Sequence, residues 1–380
     1  MSAVRDTTAV VGALLILATA WSVVVTVVVP RRVPSRIVRI VGLAVRRGIG
    51  LIADRFRQYE RRDRILAFQA PLGLMGQIIG WLALFEVGFG LLLWPVVGSA
   101  GLAGAFTQAG SSLSTLGIVA PHSGGNIAID ILAGFAGLGT VALQIAYLPT
   151  LYGAFNRRET LVTMLDTRAG VPSWGPELLA RTHYGLGTGE SAVSKLPELF
   201  EQWESWSADV SESHSTYITL IFFRSPRPLS SWVTSQLAVL DAAALYLALL
   251  PDAPGAISAR LCLRGGFSCL TTLARHIGAD VPVDADPADG ISLTSEEFAE
   301  AVERLRVVDF PLERPTEDAW LDFLGWRVNY EQAAYALARA VDAPPAKWSG
   351  PRRRALEVIA PIRPPTRRPS SPPSSTAHRR

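Results

Sequence analysis

Residues 8–29 run for 22 positions without a charged side chain, and two further long apolar runs follow at 65–98 and 127–153. A hydrocarbon core of ~30 Å takes about 20 apolar residues in a helix. At that depth every backbone polar group needs a partner inside the protein, so helices are the natural solution for such runs. Between the second and third runs lies a different stretch, Gly-Ala-Phe-Thr-Gln-Ala-Gly-Ser-Ser-Leu-Ser-Thr-Leu-Gly-Ile-Val-Ala-Pro at 104–121. It is apolar enough for membrane depth but rich in hydroxyls. As a helix of about a dozen residues it covers only ~18 Å, too little to cross. Span, short hydroxyl-bearing half-helix, Thr-Leu-Gly, span is the pattern of a re-entrant loop. Non-helical backbone survives at such depth only where protein buries it or a water-filled cavity receives it.

The order of these elements, with Thr115, Leu116 and Gly117 after a Ser/Thr-rich half-helix, resembles the two-span pore module of the potassium channel superfamily. In that family the filter reads Thr-Val-Gly-Tyr/Phe-Gly-Asp, and its backbone carbonyls replace the ion's hydration shell. Here Ile118 stands at the aromatic position, Val119 at the second glycine and Ala120 at the aspartate. A β-branched residue at a left-handed filter position would be strained. The resemblance covers roughly residues 66–158. It implies an ion pathway along Thr115, Leu116, Gly117, Ile118 and Val119, conducting a monovalent cation of the potassium type. It also implies a gating hinge at Gly137 or Gly139. One such loop cannot enclose an axis, so a pore needs a ring of subunits, by resemblance a homotetramer.

The residues themselves suggest support for that loop. Ser111, Ser112 and Ser114 carry hydroxyls on the half-helix. Glu86 lies inside the second apolar run, where an ionisable group is expected to face the bundle interior. The spacing offers two readings of Glu86, a functional carboxyl or a structural one bonded to the pore-loop hydroxyls. Gly134, Gly137 and Gly139 also offer a small-residue packing face. Asp130 opens the third span, and Pro149 would bend its inner end. His122 falls in the outer turn, as an exposed loop residue or an external pH sensor.

Charge sets the orientation. Eleven arginines and three carboxylates fall within 31–64, which makes that linker cytoplasmic by the positive-inside rule. The amino terminus is then outside, the half-helix enters from outside and the carboxy-terminal part is cytoplasmic. Ile37, Ile40, Val41, Ala44, Gly48, Leu51 and Ile52 recur at helical spacing, predicting a basic amphipathic helix along the inner leaflet. That helix either touches anionic head groups or serves as a linker. A signal peptide cleaved after Ala18-Thr19-Ala20 is the alternative for the first run, but the run continues to a stop-transfer Pro30-Arg31-Arg32. Arg157 and Arg158 close the third span on the inner side.

The expected fold class is therefore an all-α membrane protein. It has three transmembrane helices, a re-entrant pore loop, a mostly helical cytoplasmic domain and a disordered tail. The divisions are 1–30 (first span), 31–64 (basic linker), 65–158 (pore module), 159–360 (helical domain) and 361–380 (tail, too Pro/Ser/Arg-rich to bury a core). The setting is the plasma membrane, and the bilayer is a partner.

Within 159–360 the chain reads as packed helices. One carries Leu196, Leu199, Phe200, Trp203 and Trp206. Ser231–Leu250 and Ala256–Ile277 read as a buried pair. A capping box at Thr294–Glu297 opens another helix, and one more runs from Pro315 to Val341. Thr216–Phe223 fits a strand or a buried helical segment. The glycine-rich 185–189 stretch lacks the preceding strand of a nucleotide loop. Asp280, Asp284, Asp286 and Asp289 lack the spacing of a calcium loop. Cys262 and Cys269 have no second pair to complete a zinc site. No catalytic constellation is visible, so neither an enzyme nor a cofactor is expected. The net charge of +3 is not gathered on a soluble face, which argues against nucleic acid. The rival reading is a non-conducting scaffold that presents its helical domain at the inner membrane face.

Overall fold

The computed structural model describes residues 2–29, 35–97, 100–119, 124–182, 193–252, 255–282 and 285–350. Every regular element among them is helical. Four helices, not the three read from the sequence, are long and apolar enough to cross a membrane. They are α1 (Ser2–Val27), α4 (Gln69–Leu93), α6 (Gly124–Ala169) and α9 (Trp232–Leu249). The fourth differs in setting: all of its apolar window is buried inside the protein, against 28%, 39% and 28% for α1, the α4 segment and α6. A helix apolar on every face is either a lipid-facing span or the centre of a core, and α9 is the centre of a core.

α1 and α4 cross at glycines. A Cβ built on Gly12 would lie 2.6 Å from the Gly88 carbonyl oxygen, so the two backbones touch only because neither position carries a side chain. Trp81 Nε1 of α4 donates to Ser22 Oγ of α1 at 2.9 Å. The α4 stripe Trp81, Phe85, Phe89 and Leu93 is buried against these neighbours. The basic linker forms α2 (Arg36–Ala53) and α3 (Tyr59–Leu66). α2 lies on α4, with Val41 against Gly76 and Gly80. That takes up part of its apolar face, while Ile40, Leu51 and Ile52 stay exposed.

α6 has 46 residues, about 69 Å at 1.5 Å per residue, and continues unbroken through Pro149. That is more than twice the ~30 Å of a hydrocarbon core. Its far end enters the C-terminal half, past the arginines that the sequence reading takes as the close of the span. There α7 (Gly175–Thr182), α8 (Leu196–Thr216), α10 (Ala256–His276), α12 (Thr316–Arg327) and α13 (Glu331–Ala340) pack on α9, and α11 (Ser295–Arg306) packs on α7 and α12. The capping box at α11 is present, with Thr294 and Glu297 each accepting from the other's backbone. Of the two readings of the segment before Phe223 the helical one holds, as a 3-10 turn, Ile218–Phe222, with Leu220 and Ile221 buried. The single helix expected from Pro315 is two. Asn329 Nδ2 donates to the carbonyls of Gly325 and Trp326, which ends α12 before α13 begins.

Buried charge in this half is paired. Arg327, fully buried, donates to Asp241, to Glu331 Oε2 at 2.7 Å, to Tyr335 Oη at 3.0 Å and to the Trp348 carbonyl at 2.6 Å. Cys262 and Cys269 are buried free thiols, and burial pushes both up out of the reactive range. No group of metal-ligating side chains gathers among the described residues. His122, the 185–189 stretch, Asp284, the Asp289 side chain, Ala120 and the 361–380 tail lie outside the described residues.

Candidate functional site

The short helix is α5 (Gly101–Leu113), 13 residues and about 20 Å long. It packs between α4 and α6, and each contact has a sequence cause. Phe106 lies against Gly90 of α4, where a Cβ would sit 3.1 Å from its ring. Gln108 Nε2 donates to Asp130 Oδ2 of α6 at 2.8 Å. The C-terminal end of α5 rests on the α6 glycines. A Cβ on Gly137 would come within 2.0 Å of the Leu113 carbonyl oxygen, and one on Gly134 within 3.5 Å of the Ser112 carbonyl. Gly137 is therefore a packing glycine at a helix crossing. Gly139 meets nothing within 4 Å.

Beyond Leu113 the chain leaves the helix in a fixed way. Thr115 and Gly117 both take left-handed backbone, at φ 57° and 66°. Leu116 N–H donates to the Ser111 carbonyl at 2.9 Å. The Ser111 hydroxyl then accepts from Ile118 N–H at 2.8 Å and Val119 N–H at 3.2 Å. In a trans peptide the N–H and C=O point to opposite sides. Three N–H groups drawn toward α5 therefore turn the carbonyls of Thr115, Gly117 and Ile118 away from it. α5 also ends here, and the C-terminus of a helix carries roughly half a negative charge.

The candidate residues divide. Ser111 supports the loop directly. Ser114 does so more weakly, its hydroxyl bonding back to the Gly110 carbonyl at 2.5 Å. Ser112 contributes through its carbonyl at the α6 contact. Val119 is not in left-handed backbone; the strained β-branched residue is Thr115 instead, so the strain expected at the second glycine position falls four residues earlier. Thr115, Leu116, Gly117 and Ile118 are all exposed, Leu116 at 67% and Ile118 at 73%.

Glu86 departs from its expected place. It is neither buried in the bundle nor bonded to an α5 hydroxyl among the described residues; it is exposed on α4, its Oε1 3.3 Å from where a Gly110 Cβ would be. Phe85 turns inward with the Trp81–Phe89 stripe, and the next residue along a helix turns about 100° away.

Arg158 is the residue whose role the sequence concealed. Instead of closing the span at an interface it is fully buried in the C-terminal half. It donates to Glu159, to the carbonyls of Leu220 and Phe223 at 2.8 Å each, and lies 3.0 Å from His214 Nε2. Burial, with the Arg158 charge beside it, holds His214 well below its ordinary pKa. Arg157 faces outward and forms a bidentate pair with Asp209. α6 is thus locked to α8 and the 3-10 turn. No protein-family model, curated protein or solved structure matches the chain.

Proposed function

We infer that the chain is one subunit of a ring-forming membrane protein of the potassium channel type, in which residues 115–119 line a cation pathway. α1, α4 and α6 are its three spans, α5 and its loop re-enter from outside, and the C-terminal domain lies in the cytoplasm. α9 is a core helix of that domain. The observation that carries the reading is the α5 loop. A helix too short to cross ends against two spans, its N–H groups are tied down, and three carbonyls face outward beside its negative end. Glu86 supports assembly: a carboxylate on the outer face of a span is costly against lipid, and a neighbouring copy would cover it. α6 would carry motion between loop and domain through the Arg158 lock.

Purified protein in liposomes should pass monovalent cations, and Gly117→Ala should abolish the flux because alanine is strained at φ 66°. Absence of flux under every ionic condition would refute conduction. One observation favours a second reading, a non-conducting scaffold: left-handed backbone stops at Gly117, and the second filter glycine is Val119. In that case Val119→Gly should produce current in a silent protein.

A further inference from the structure

A cavity of about 630 Å³ opens where the N-terminal helices meet the C-terminal domain. That volume is in the range of small-molecule sites, ~300–1,000 Å³. One wall is apolar and comes from the end of α1 and from α2: Val25, Val29, Val38 and Leu43. The opposite wall is the 3-10 turn and the end of α10, with Tyr217, Ile218, Phe222 and Ile277. The first turns of α4 form its side, through Gly73 and Gln77.

Its charged groups are of one sign, set among neutral polar side chains such as Ser35, Gln77, Ser215 and His276. Arg39, Arg46 and Arg275 line it, and no aspartate or glutamate does among the described residues. Arg46 stacks over the Phe222 ring at 4.4 Å, and burial pulls its pKa down. Neither Arg39 nor Arg46 has a carboxylate partner among the described residues. Two lining side chains have polar atoms left over. Gln77 is 3% exposed and Ser215 4%, and Gln77 Nε2 and Ser215 Oγ have no hydrogen-bond partner among the described residues. Buried polar atoms are nearly always satisfied. A donor, a hydroxyl and uncompensated guanidinium charge around an apolar slot describe a site waiting for an anion that carries a hydrocarbon body.

The geometry points to a binding site for an anionic amphiphile, a phospholipid whose phosphate meets Arg39 and Arg46 and whose acyl chain lies along Val25, Val29, Val38 and Leu43. Guanidinium groups are suited to phosphate by their planar fork of donors. This assignment rests on the reading above that puts the end of α1 and the start of α4 at the inner leaflet, where such lipids are at hand. The occupant touches α1, α2 and α4 on one side and α10 and the 3-10 turn on the other. It therefore joins the two halves beside the Arg158 lock.

The test uses the full chain in detergent, with retention of phosphatidylglycerol, phosphatidylcholine of the same acyl length and inorganic phosphate compared by native mass spectrometry. Phosphatidylglycerol should be held at least tenfold more tightly than phosphatidylcholine. Arg39→Gln with Arg46→Gln should weaken the binding of phosphatidylglycerol itself roughly thirtyfold, the worth of two basic residues near an anionic head group. Gly73→Leu should fill the slot and block both lipids; a Cβ there meets nothing within 4 Å, so the helix tolerates it. Equal retention of the two lipids overturns the proposal. So does phosphate binding as tightly as phosphatidylglycerol, which would make the site one for the free ion, or normal lipid retention by Gly73→Leu. None of these readouts involves ion flux, so a silent pore and an empty cavity are separate failures.

Discussion

Arg327 and Glu86 are both charged residues on helices, and their surroundings divide the molecule. Arg327 is fully buried in the C-terminal domain with two carboxylates, a tyrosine hydroxyl and a carbonyl around its guanidinium. Glu86 stands exposed on α4, with large apolar side chains exposed along the same N-terminal helices, among them Met75, Ile79, Phe135 and Leu138. The C-terminal domain completes its own core, down to an apolar helix with no exposed residue. The N-terminal helices leave their outer faces uncovered. The first region is finished as a single chain; the second leaves an apolar surface open, which the proposed function assigns to lipid and neighbouring copies.

The largest effect should come from breaking the finished region. Arg327→Ala strands Asp241 and Glu331 in the core, and removing one partner of a buried pair costs about 3–5 kcal/mol. Chemical denaturation followed by tryptophan fluorescence should show it; a loss below 1 kcal/mol would mean the network is not closed. Next comes the α5–α6 crossing. Gly137→Ala drives a Cβ into the Leu113 carbonyl and should cost about 1–3 kcal/mol, while Gly139→Ala should be neutral in thermal melts. Equal effects would remove Gly137 from the crossing and return both glycines to the hinge reading.

Ser111→Ala removes the acceptor of two N–H groups, each hydrogen bond worth about 1 kcal/mol, and should speed amide exchange at Ile118 and Val119. Ser112→Ala should leave that exchange unchanged, its contact being through the main chain. The smallest effect is a pH slope. His214 stays neutral in the folded domain, while the unfolded chain binds a proton below about pH 6.5. The unfolded state then holds more protons, so stability falls as pH falls. Going from pH 7.5 to 5.5 should cost at most about 1.4 kcal/mol, and His214→Gln should flatten that part of the slope. Identical slopes in wild type and this variant would place the imidazole in water.

The same division explains what could be read in advance. α1 and α6 are legible because their runs carry almost no charge, and α11 because Thr294 and Glu297 announce its start. α5 is legible as a run too short and too rich in hydroxyls to cross, and Ser111 sits at the position where it supports the loop. α9 shows that 18 apolar residues do not distinguish a span from a core centre, since burial is settled by the helices packed around it. Glu86 was not placeable because the 65–98 run is apolar on every face, and a helix without a polar stripe has no readable orientation. Arg158 reads as an interfacial arginine because its partners are backbone carbonyls 62 and 65 residues away. The cavity is assembled from Arg46 and Phe222, and no local pattern links them.

Single-particle imaging of the detergent-solubilised full chain tests the account most directly, since it shows how many copies surround an axis and which segment lies nearest to it. We expect a closed ring with residues 115–119 innermost and Glu86 covered by the adjacent subunit. A solitary chain, or a ring whose α5 loops point outward into the detergent belt, would contradict it.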